Sequence, residues 1–430
     1  MTGYKENIRR LLLTRIGRLP TIAGVAAKDG IGVTEADLGV VDNAALLVED
    51  ETISFAGPAS ELPDDLEVDH RVDAGGAVAV PGLIDPHTHP CWVGSRHDEF
   101  AMRAAGKTYL EISASGGGIR ASTRHARQAS LEQLIAATEK HLARMFALGV
   151  TAVEAKSGYA LNVEGELRML RAIKRAAEHT PQTIVPTFMG AHAIPSEFGD
   201  NAEAYINLVI YEMLPAVAAE KLAEFCDVFV EDGFFSVDQG RRILLAAKEL
   251  GLKPKLHADE FKPLGGAQLA AEVGAVSADH LMAIDDEGIR ALAAAGVTAT
   301  LLPATTLFLG QTTYAPARRL LDAGCRVALS TDFNPGSSHT ENLQLVFTLA
   351  CTQLRMTVAE ALTAITYNAA RALDRHKQAG ALLPGRRADI VFFDVKDFSA
   401  IPYHLAMSDV KWIVAGGVPY QAPAQIARRC

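Results

Sequence analysis

The residues best placed to do chemistry lie in Pro81-Gly82-Leu83-Ile84-Asp85-Pro86-His87-Thr88-His89-Pro90, a short apolar run ending in His-x-His. In an extended chain side chains alternate faces, so His87 and His89 aim two imidazoles at one place. Pro90 helps to stop the strand there. Two convergent nitrogens suit zinc or iron, whereas calcium and magnesium take oxygen. A single His-x-His pair arises often by chance. Here His192, His257 and His280, with Glu260 and Asp332, also stand at or just past the ends of later apolar runs. An isolated buried histidine is ordinarily a hydrogen-bonded core residue; histidines recurring at strand ends are hard to explain as packing.

Positioning these groups falls to a repeated strand–helix pattern. Apolar runs at 82–87, 150–155, 183–188, 226–230, 254–257, 275–279, 297–302 and 326–330 alternate with amphipathic segments at 131–148, 164–178, 202–222, 237–250, 265–273, 286–295 and 315–323. Gly149, Gly251, Gly274, Gly296 and Gly324 stand where helix C-termini favour glycine. Near-continuous apolar strands alternating with helices mean a parallel sheet covered on both faces. Eight such units make the fold class α/β and predict a (β/α)8 TIM-like barrel, with an open doubly wound sheet as the alternative. Before the barrel come short strands: a hairpin at 44–57 around an acidic turn, and a strand at 68–80 broken by Gly75-Gly76. After it come helices at 341–354 and 358–371 and strands at 388–394 and 410–417. The expected division is 1–80 and 376–430 as two parts of one small β domain built from both termini, with 81–375 as the barrel.

Active residues of such a barrel sit at the C-terminal ends of its strands. Taken in order these ends carry His87 and His89; Lys156 and Tyr159; His192; Glu231 and Asp232; His257 and Glu260; His280; Thr305 and Thr306; and Asp332, followed by Asn334-Pro335-Gly336. His87, His89, His257 and Asp332 form a sensible ligand set for one transition metal. Such a site can still take a water, whose pKa falls to about 7 on zinc, supplying a hydroxide nucleophile. Glu260 and His280 then remain for proton transfer and for polarising the scissile bond. Asp332 is a ligand candidate that could equally accept a proton, and sequence does not separate the two roles.

Composition excludes several classes. A net charge of −10, with no Lys/Arg run, argues against a nucleic-acid surface. The 49% hydrophobic content is ordinary for a globular chain, and no apolar run is long enough to span a membrane. Leu11-Leu12-Leu13 is too short for a secretory core and is expected to belong to the mature protein. Five cysteines without a Cys-x-x-Cys point to a reduced, cytoplasmic setting. Cys91, close to the His-x-His, reads as a small buried side chain.

Pro81–His89, His257-Ala258-Asp259-Glu260, Ser330-Thr331-Asp332 and Pro384-Gly385-Arg386-Arg387-Ala388-Asp389-Ile390-Val391 together resemble the metal-dependent amidohydrolase superfamily. Gly94-Ser95-Arg96, Lys156-Ser157-Gly158-Tyr159, Gly190-Ala191-His192-Ala193 and Asp332-Phe333-Asn334-Pro335-Gly336-Ser337 are similar, within it, to the imidazolonepropionase family. The resemblance implies hydrolysis of the cyclic amide of 4-imidazolone-5-propanoate to N-formimidoyl-L-glutamate in histidine degradation. It also implies one zinc or iron per chain, a homodimer, and substrate contacts at Arg96, Tyr159, His192, Glu260, Asn334, Gly336 and Ser337. At Ser337 the chain has serine where the family often has threonine, which keeps the hydroxyl. A substrate with a carboxylate tail wants a fixed cation, and Arg96 offers a bidentate fork. Another cyclic amidohydrolase or a nucleobase deaminase is the alternative, and a non-catalytic scaffold is the rival of another class. Gly116-Gly117-Gly118 could hinge a lid over the site, or be an ordinary loop.

Overall fold

The computed structural model describes residues 8–63, 65–107, 111 and 117–421. The chain begins with β1 (Arg10–Pro20), β2 (Val40–Glu49), β3 (Thr52–Pro58), β4 (His70–Asp73) and β5 (Val78–Pro81). The barrel strands follow as β6 (Leu83–Asp85), β7 (Val150–Lys156), β8 (Thr183–Ala191), β9 (Phe225–Val230), β10 (Lys253–Ala258), β11 (Ser277–His280), β12 (Thr298–Leu301) and β13 (Val327–Leu329). The chain then returns to the first sheet with β14 (Ile390–Phe393), β15 (Val410–Ala415) and β16 (Val418–Gln421).

β6 to β13 form one eight-stranded sheet in sequential order, every neighbouring pair parallel. That order is a barrel; an open doubly wound sheet would reverse its strand order at a switch point. The five glycines predicted to end helices all have positive φ, between 65° at Gly274 and 91° at Gly149. The other sheet runs β16-β15-β14-β5-β1-β2-β3 with β4 beside β1, and so draws on both ends of the chain. Its central strands are apolar on both faces. Val391 and Phe393 of β14 enter the large core shared with the barrel, whereas Ile390 and Phe392 enter a smaller core with Leu13, Leu46 and Ala79. Alternation along one strand thus joins the two sheets.

The N-terminal strand is longer than its sequence suggests. Arg15 interrupts the apolar run, but β1 absorbs it as a bulge: Arg15 takes φ 52°, the register with β2 shifts between Leu13 and Ile16, and the side chain pairs with exposed Asp73. The segment 202–222 is helical but carries a π turn at Val209–Met213, just ahead of Pro215. The helix expected at 358–371 is two, Val358–Ala364 and Tyr367–Ala372, because the Ile365 carbonyl accepts the Ile84 N–H of β6 at 3.0 Å. Five short helices escaped the sequence reading: His97–Ala104, Ile119–Gln128, Pro303–Phe308, Ala23–Ala27 and Ala400–Tyr403. The first buries no residue, so no apolar stripe announces it.

β13 and β6, the two ends of the barrel sheet, are joined by side chains. The buried Asp85 carboxylate accepts from the Ser330 hydroxyl, from Thr331 N–H at 3.0 Å and from Thr331 Oγ1 at 2.6 Å. Ser330 Oγ in turn accepts the His87 N–H at 2.9 Å, and His89 N–H reaches the Phe333 carbonyl at 2.9 Å. Burial pushes the Asp85 carboxyl up from 3.8 to about 6, even though the Ser330 and Thr331 hydroxyls oppose it.

Replacing Asp85 by alanine strands those donors and should cost about 3 kcal/mol, read as a lower Tm with faster hydrogen exchange at Thr331. A pKa raised on folding favours the folded state while the group is protonated. That contribution is complete below the unfolded value of 3.8 and is lost as pH rises through about 6. The stability of the wild type relative to Asp85→Asn should therefore fall across that window in denaturant titrations; a flat difference would contradict the assignment.

Candidate metal centre

The segment after β6 is pinned in extended form at the barrel mouth: Thr88 O accepts Lys156 N–H at 3.0 Å, beside the His87 and His89 contacts to the β13 side. Its two imidazoles therefore project together. Ring centroids lie 5.4 Å apart for His87 and His89, 4.4 Å for His87 and His257, and 5.0 Å for His257 and His280. Asp332 reaches the same place from beyond β13, its backbone in the left-handed region at φ 52°. Asp332 Oδ1 stands 3.7 Å from His87 Nε2 and 3.6 Å from His89 Nε2.

Donor atoms of His87, His89 and Asp332 all lie within 4.8 Å of one another, as do those of His87, His257 and His280. The residues expected as ligands are thus brought together, and His280 joins them. His87 Nε2, His89 Nδ1 and both His280 nitrogens are buried without a hydrogen-bond partner. Buried imidazole nitrogens without hydrogen-bond partners, clustered with a carboxylate, are what a transition metal would satisfy.

Beneath this cluster lies a layer of buried charge that the sequence reading missed. Lys156 Nζ pairs with Asp227 Oδ2 at 2.6 Å and Glu154 Oε2 at 2.8 Å; Lys255 Nζ meets Glu154 Oε2 at 3.0 Å and the Pro86 carbonyl at 2.8 Å. All four side chains are fully buried. Lys156, read as a strand-end group, is therefore an ion-paired residue of the barrel interior. Burial works against its charge, but Asp227 and Glu154 outweigh that and hold its pKa above the usual lysine range. The signal was present in the sequence as charged residues inside apolar strands, Glu154 and Lys156 two apart in β7 and Asp227 alone in β9.

Two carboxylates of this region hold the imidazoles. Asp279 Oδ2 lies 2.6 Å from His87 Nδ1, and Asp227 Oδ1 lies 3.1 Å from His257 Nδ1. A carboxylate on Nδ1 assigns the proton there and turns the Nε2 lone pair to the centre. Burial, reinforced by Lys156, drives His87 well below the ordinary imidazole pKa, so it is neutral and able to ligate.

Glu260 follows β10 on a loop held by two other acids. Asp259 accepts the N–H groups of Leu264, Gly265, Gly266 and Ala267, and Glu231 accepts that of Phe261 at 2.8 Å. Glu231 thus braces the loop, while Asp232 pairs with Lys262 on the surface. Burial raises the Glu260 carboxyl well above its usual range, with Asp332 and Glu231 adding to the effect. Its Oε1 stands 3.5 Å from His280 Nδ1. His280 and Leu281 occupy consecutive left-handed positions, φ 78° and 62°, a strained strand end that aims the imidazole inward. Burial raises Asp332 to about 6 against the hydrogen bond from Thr305 Oγ1 at 2.7 Å.

The expected substrate-contact residues form one flank. His192 stacks on His89 at 5.2 Å and lies 5.4 Å from the Tyr159 ring. Its Nδ1 meets the Gly158 carbonyl at 3.0 Å, and burial lowers its pKa to about 3, leaving Nε2 as a neutral acceptor. Asn334 is spent on its own loop: Oδ1 accepts the N–H groups of Gly336 and Ser337 at 2.7 Å each, and Nδ2 donates to the Asp332 carbonyl at 2.7 Å. Arg96 Nη1 packs on Gly336 so closely that a Cβ there would come within 2.2 Å. The fork expected of Arg96 is half used, since Nε and Nη2 already donate to Glu99 at 3.0 and 2.8 Å.

Cys91 is buried among apolar groups, with its thiol pushed up to about 12, and takes no place in the cluster. Of the glycine run expected to hinge a lid, Gly116 lies outside the described residues, and Gly118 N–H is bonded to Glu99 at 2.9 Å.

Residues 78–417 match the model of the amidohydrolase family. The chain is 48% identical to an imidazolonepropionase of Geobacillus kaustophilus over 95% of its own length and 97% of the relative's. It is 46% identical to the imidazolonepropionase of Alkaliphilus oremlandii over 89% and 91%. Among solved structures it resembles a zinc-bound adenosine deaminase of Xanthomonas campestris, with a TM-score of 0.72 at 18% identity, covering 96% of this chain and 93% of that one. A 5-methylcytosine deaminase of Klebsiella pneumoniae gives 0.71 at 17%, covering 96% and 99%. Identities this low establish the shared fold alone.

If Asp279 and Asp227 fix the imidazoles, Asp279→Asn and Asp227→Asn should each weaken metal affinity by about 10- to 100-fold in chelator competition, with secondary structure intact. Wild-type affinity in both variants would remove that role.

Proposed function

The chain belongs to the amidohydrolase family and to its imidazolonepropionases, hydrolases of a C–N bond in a cyclic amide, and we propose that the barrel-mouth cluster opens the ring of 4-imidazolone-5-propanoate to N-formimidoyl-L-glutamate. The observation that carries the assignment of this site is Arg96. A fixed guanidinium packs on Gly336, in the loop that leaves Asp332, at the edge of a buried imidazole cluster. A ring to be hydrolysed and an anionic tail need such a pairing, whereas a neutral nucleobase has no use for the cation.

The family is metal-dependent, and the donor set fits a single zinc or iron held by His87, His89, His257 and Asp332. Such an ion supplies Lewis acidity, polarising a carbonyl and making water acidic near pH 7. The remaining work belongs to the protein. Arg96 takes the carboxylate tail through its free edge, and Ser337 supplies a hydroxyl beside it. Tyr159 and His192 hold the ring against His89, His192 accepting at Nε2. Burial, with the charge of Asp332 and Glu231, holds Glu260 toward its neutral form; a cation held by the cluster would oppose that and favour the carboxylate. As a base it takes a proton from the attacking water, and it returns that proton to the ring nitrogen as the C–N bond breaks. His280, 3.5 Å from Glu260, donates to the oxygen that gains charge. The buried position of these groups keeps bulk water from competing for the proton.

We place the enzyme in the cytoplasm as a homodimer acting on a small molecule. Free Cys91, Cys226, Cys325 and Cys351 support a reducing compartment, and no helix among the described residues is long and apolar enough to cross a membrane.

The first test is loss of imidazolone ultraviolet absorbance on adding enzyme, with metal measured on the same sample. Turnover at about one ion per chain is expected; a metal-loaded protein that leaves the substrate intact would overturn the reading. Glu260→Gln should keep its metal and lose about 100-fold or more in kcat. Arg96→Met should keep its metal and raise KM for the acid about 10-fold or more. A near-normal rate in the first or an unchanged KM in the second would remove that residue from its role.

A further inference from the structure

Arg96 is held by a residue to which no role has yet been given. It caps the helix His97–Ala104, and Glu99 stands one turn on. Glu99 receives Arg96 Nε on Oε1 at 3.0 Å and Nη2 on Oε2 at 2.8 Å, a side-on bidentate pair with side chains only 13% and 12% exposed. The same Oε1 accepts the Gly118 N–H at 2.9 Å. The guanidinium therefore cannot rotate without breaking two hydrogen bonds, to a carboxylate that the Gly118 N–H holds in place. The only part of Arg96 left unbonded by Glu99 is the Nη1 end, which lies against Gly336. The Gly336 carbonyl is in turn gripped by Arg103, through Nη1 at 3.2 Å and Nη2 at 3.3 Å. A second guanidinium, that of Arg103, thus adds positive charge beside the Arg96–Glu99 pair, and a monoanionic tail would help to balance it.

We infer that Glu99 is a positioning residue for substrate selection: it turns Arg96 end-on to the barrel mouth, so that a tail carboxylate meets the Nη1 end rather than the side fork. This rests on the reading of the reaction given above. An isolated arginine beside the cluster could adopt many rotamers; one locked by a nearly buried carboxylate binds without that ordering cost. Arg103 and Gly336 complete the arrangement, one by anchoring the loop and the other by leaving room for Nη1.

The test compares 4-imidazolone-5-propanoate with its methyl ester, which has the same ring and no charge on the tail. Glu99→Gln should raise KM for the acid about tenfold, leave kcat within about twofold, and leave the ester unchanged. Combined with Arg96→Met it should add nothing to the loss that Arg96→Met causes alone. Equal losses for acid and ester would mean that Glu99 only supports the fold, an unchanged KM for the acid that it has no part in binding, and a lower one that it competes with substrate; each overturns the inference. Should Glu99→Gln fail to fold, Gly336→Ala displaces the same guanidinium and should show the same acid-selective loss. Calorimetric binding of 3-(imidazol-4-yl)propanoate gives a readout without turnover. If the wild type left the imidazolone intact, the reaction assignment would fail, while equal affinity of wild type and Glu99→Gln for this acid would separately refute the role of Glu99.

Discussion

The structure depends on how five charged side chains are kept inside a barrel. Glu154, Lys156, Asp227, Lys255 and Asp279 are completely buried. An unpaired charge there would cost several kcal/mol, so each must find a partner across strands. One pair lies within β7, and the others cross the barrel interior from β7 to β9, two strands away, and to β10, three strands away. They therefore require the barrel's register as much as they result from it. With three carboxylates and two ammonium groups, the layer has negative charge to spare, and it is spent upward on the Nδ1 edges of His87 and His257. The ligand-presenting face of the cluster is the barrel-mouth end of that network.

The seam between β13 and β6 obeys the same logic with fewer atoms. Both strands are only three residues long, too short to close the sheet by a ladder of their own. Asp85, Ser330 and Thr331 bridge the gap, and their hydrogen bonds continue directly into the backbone of His87. Closure of the fold and placement of the first histidine are one set of contacts. The terminal sheet adds support from outside, by way of β14, which is apolar on both faces.

Much of this was legible in the sequence because its periodicity is local. A run of five apolar residues followed by an amphipathic segment and a glycine reads as strand and helix wherever the chain ends up, and all eight barrel strands were located that way. What was illegible had no local signature. The helix His97–Ala104 buries nothing, the bulge at Arg15 is chosen by pairing with β2, and the break at Ile365 is imposed by a carbonyl that β6 requires. Charged residues inside β7, β9 and β10 were visible, but a lone lysine at a strand end looks the same whether it faces the substrate or an aspartate two strands away.

The residue types of the site were set by the sequence itself. His87 and His89 must share a face because strand side chains alternate, and His257, Glu260, His280 and Asp332 must gather at one mouth because parallel strands all end on the same side. Tertiary structure decided what each group can do there. Which imidazole nitrogen is free, which carboxyl is protonated, and which edge of Arg96 remains open all turn on neighbours distant in sequence or outside any motif: Asp279 for His87, Asp332 and Glu231 for Glu260, Glu99 for Arg96. Periodicity acts through bonds and can be read along the chain. Protonation and hydrogen-bond direction act through space, and only the folded barrel brings their partners within reach.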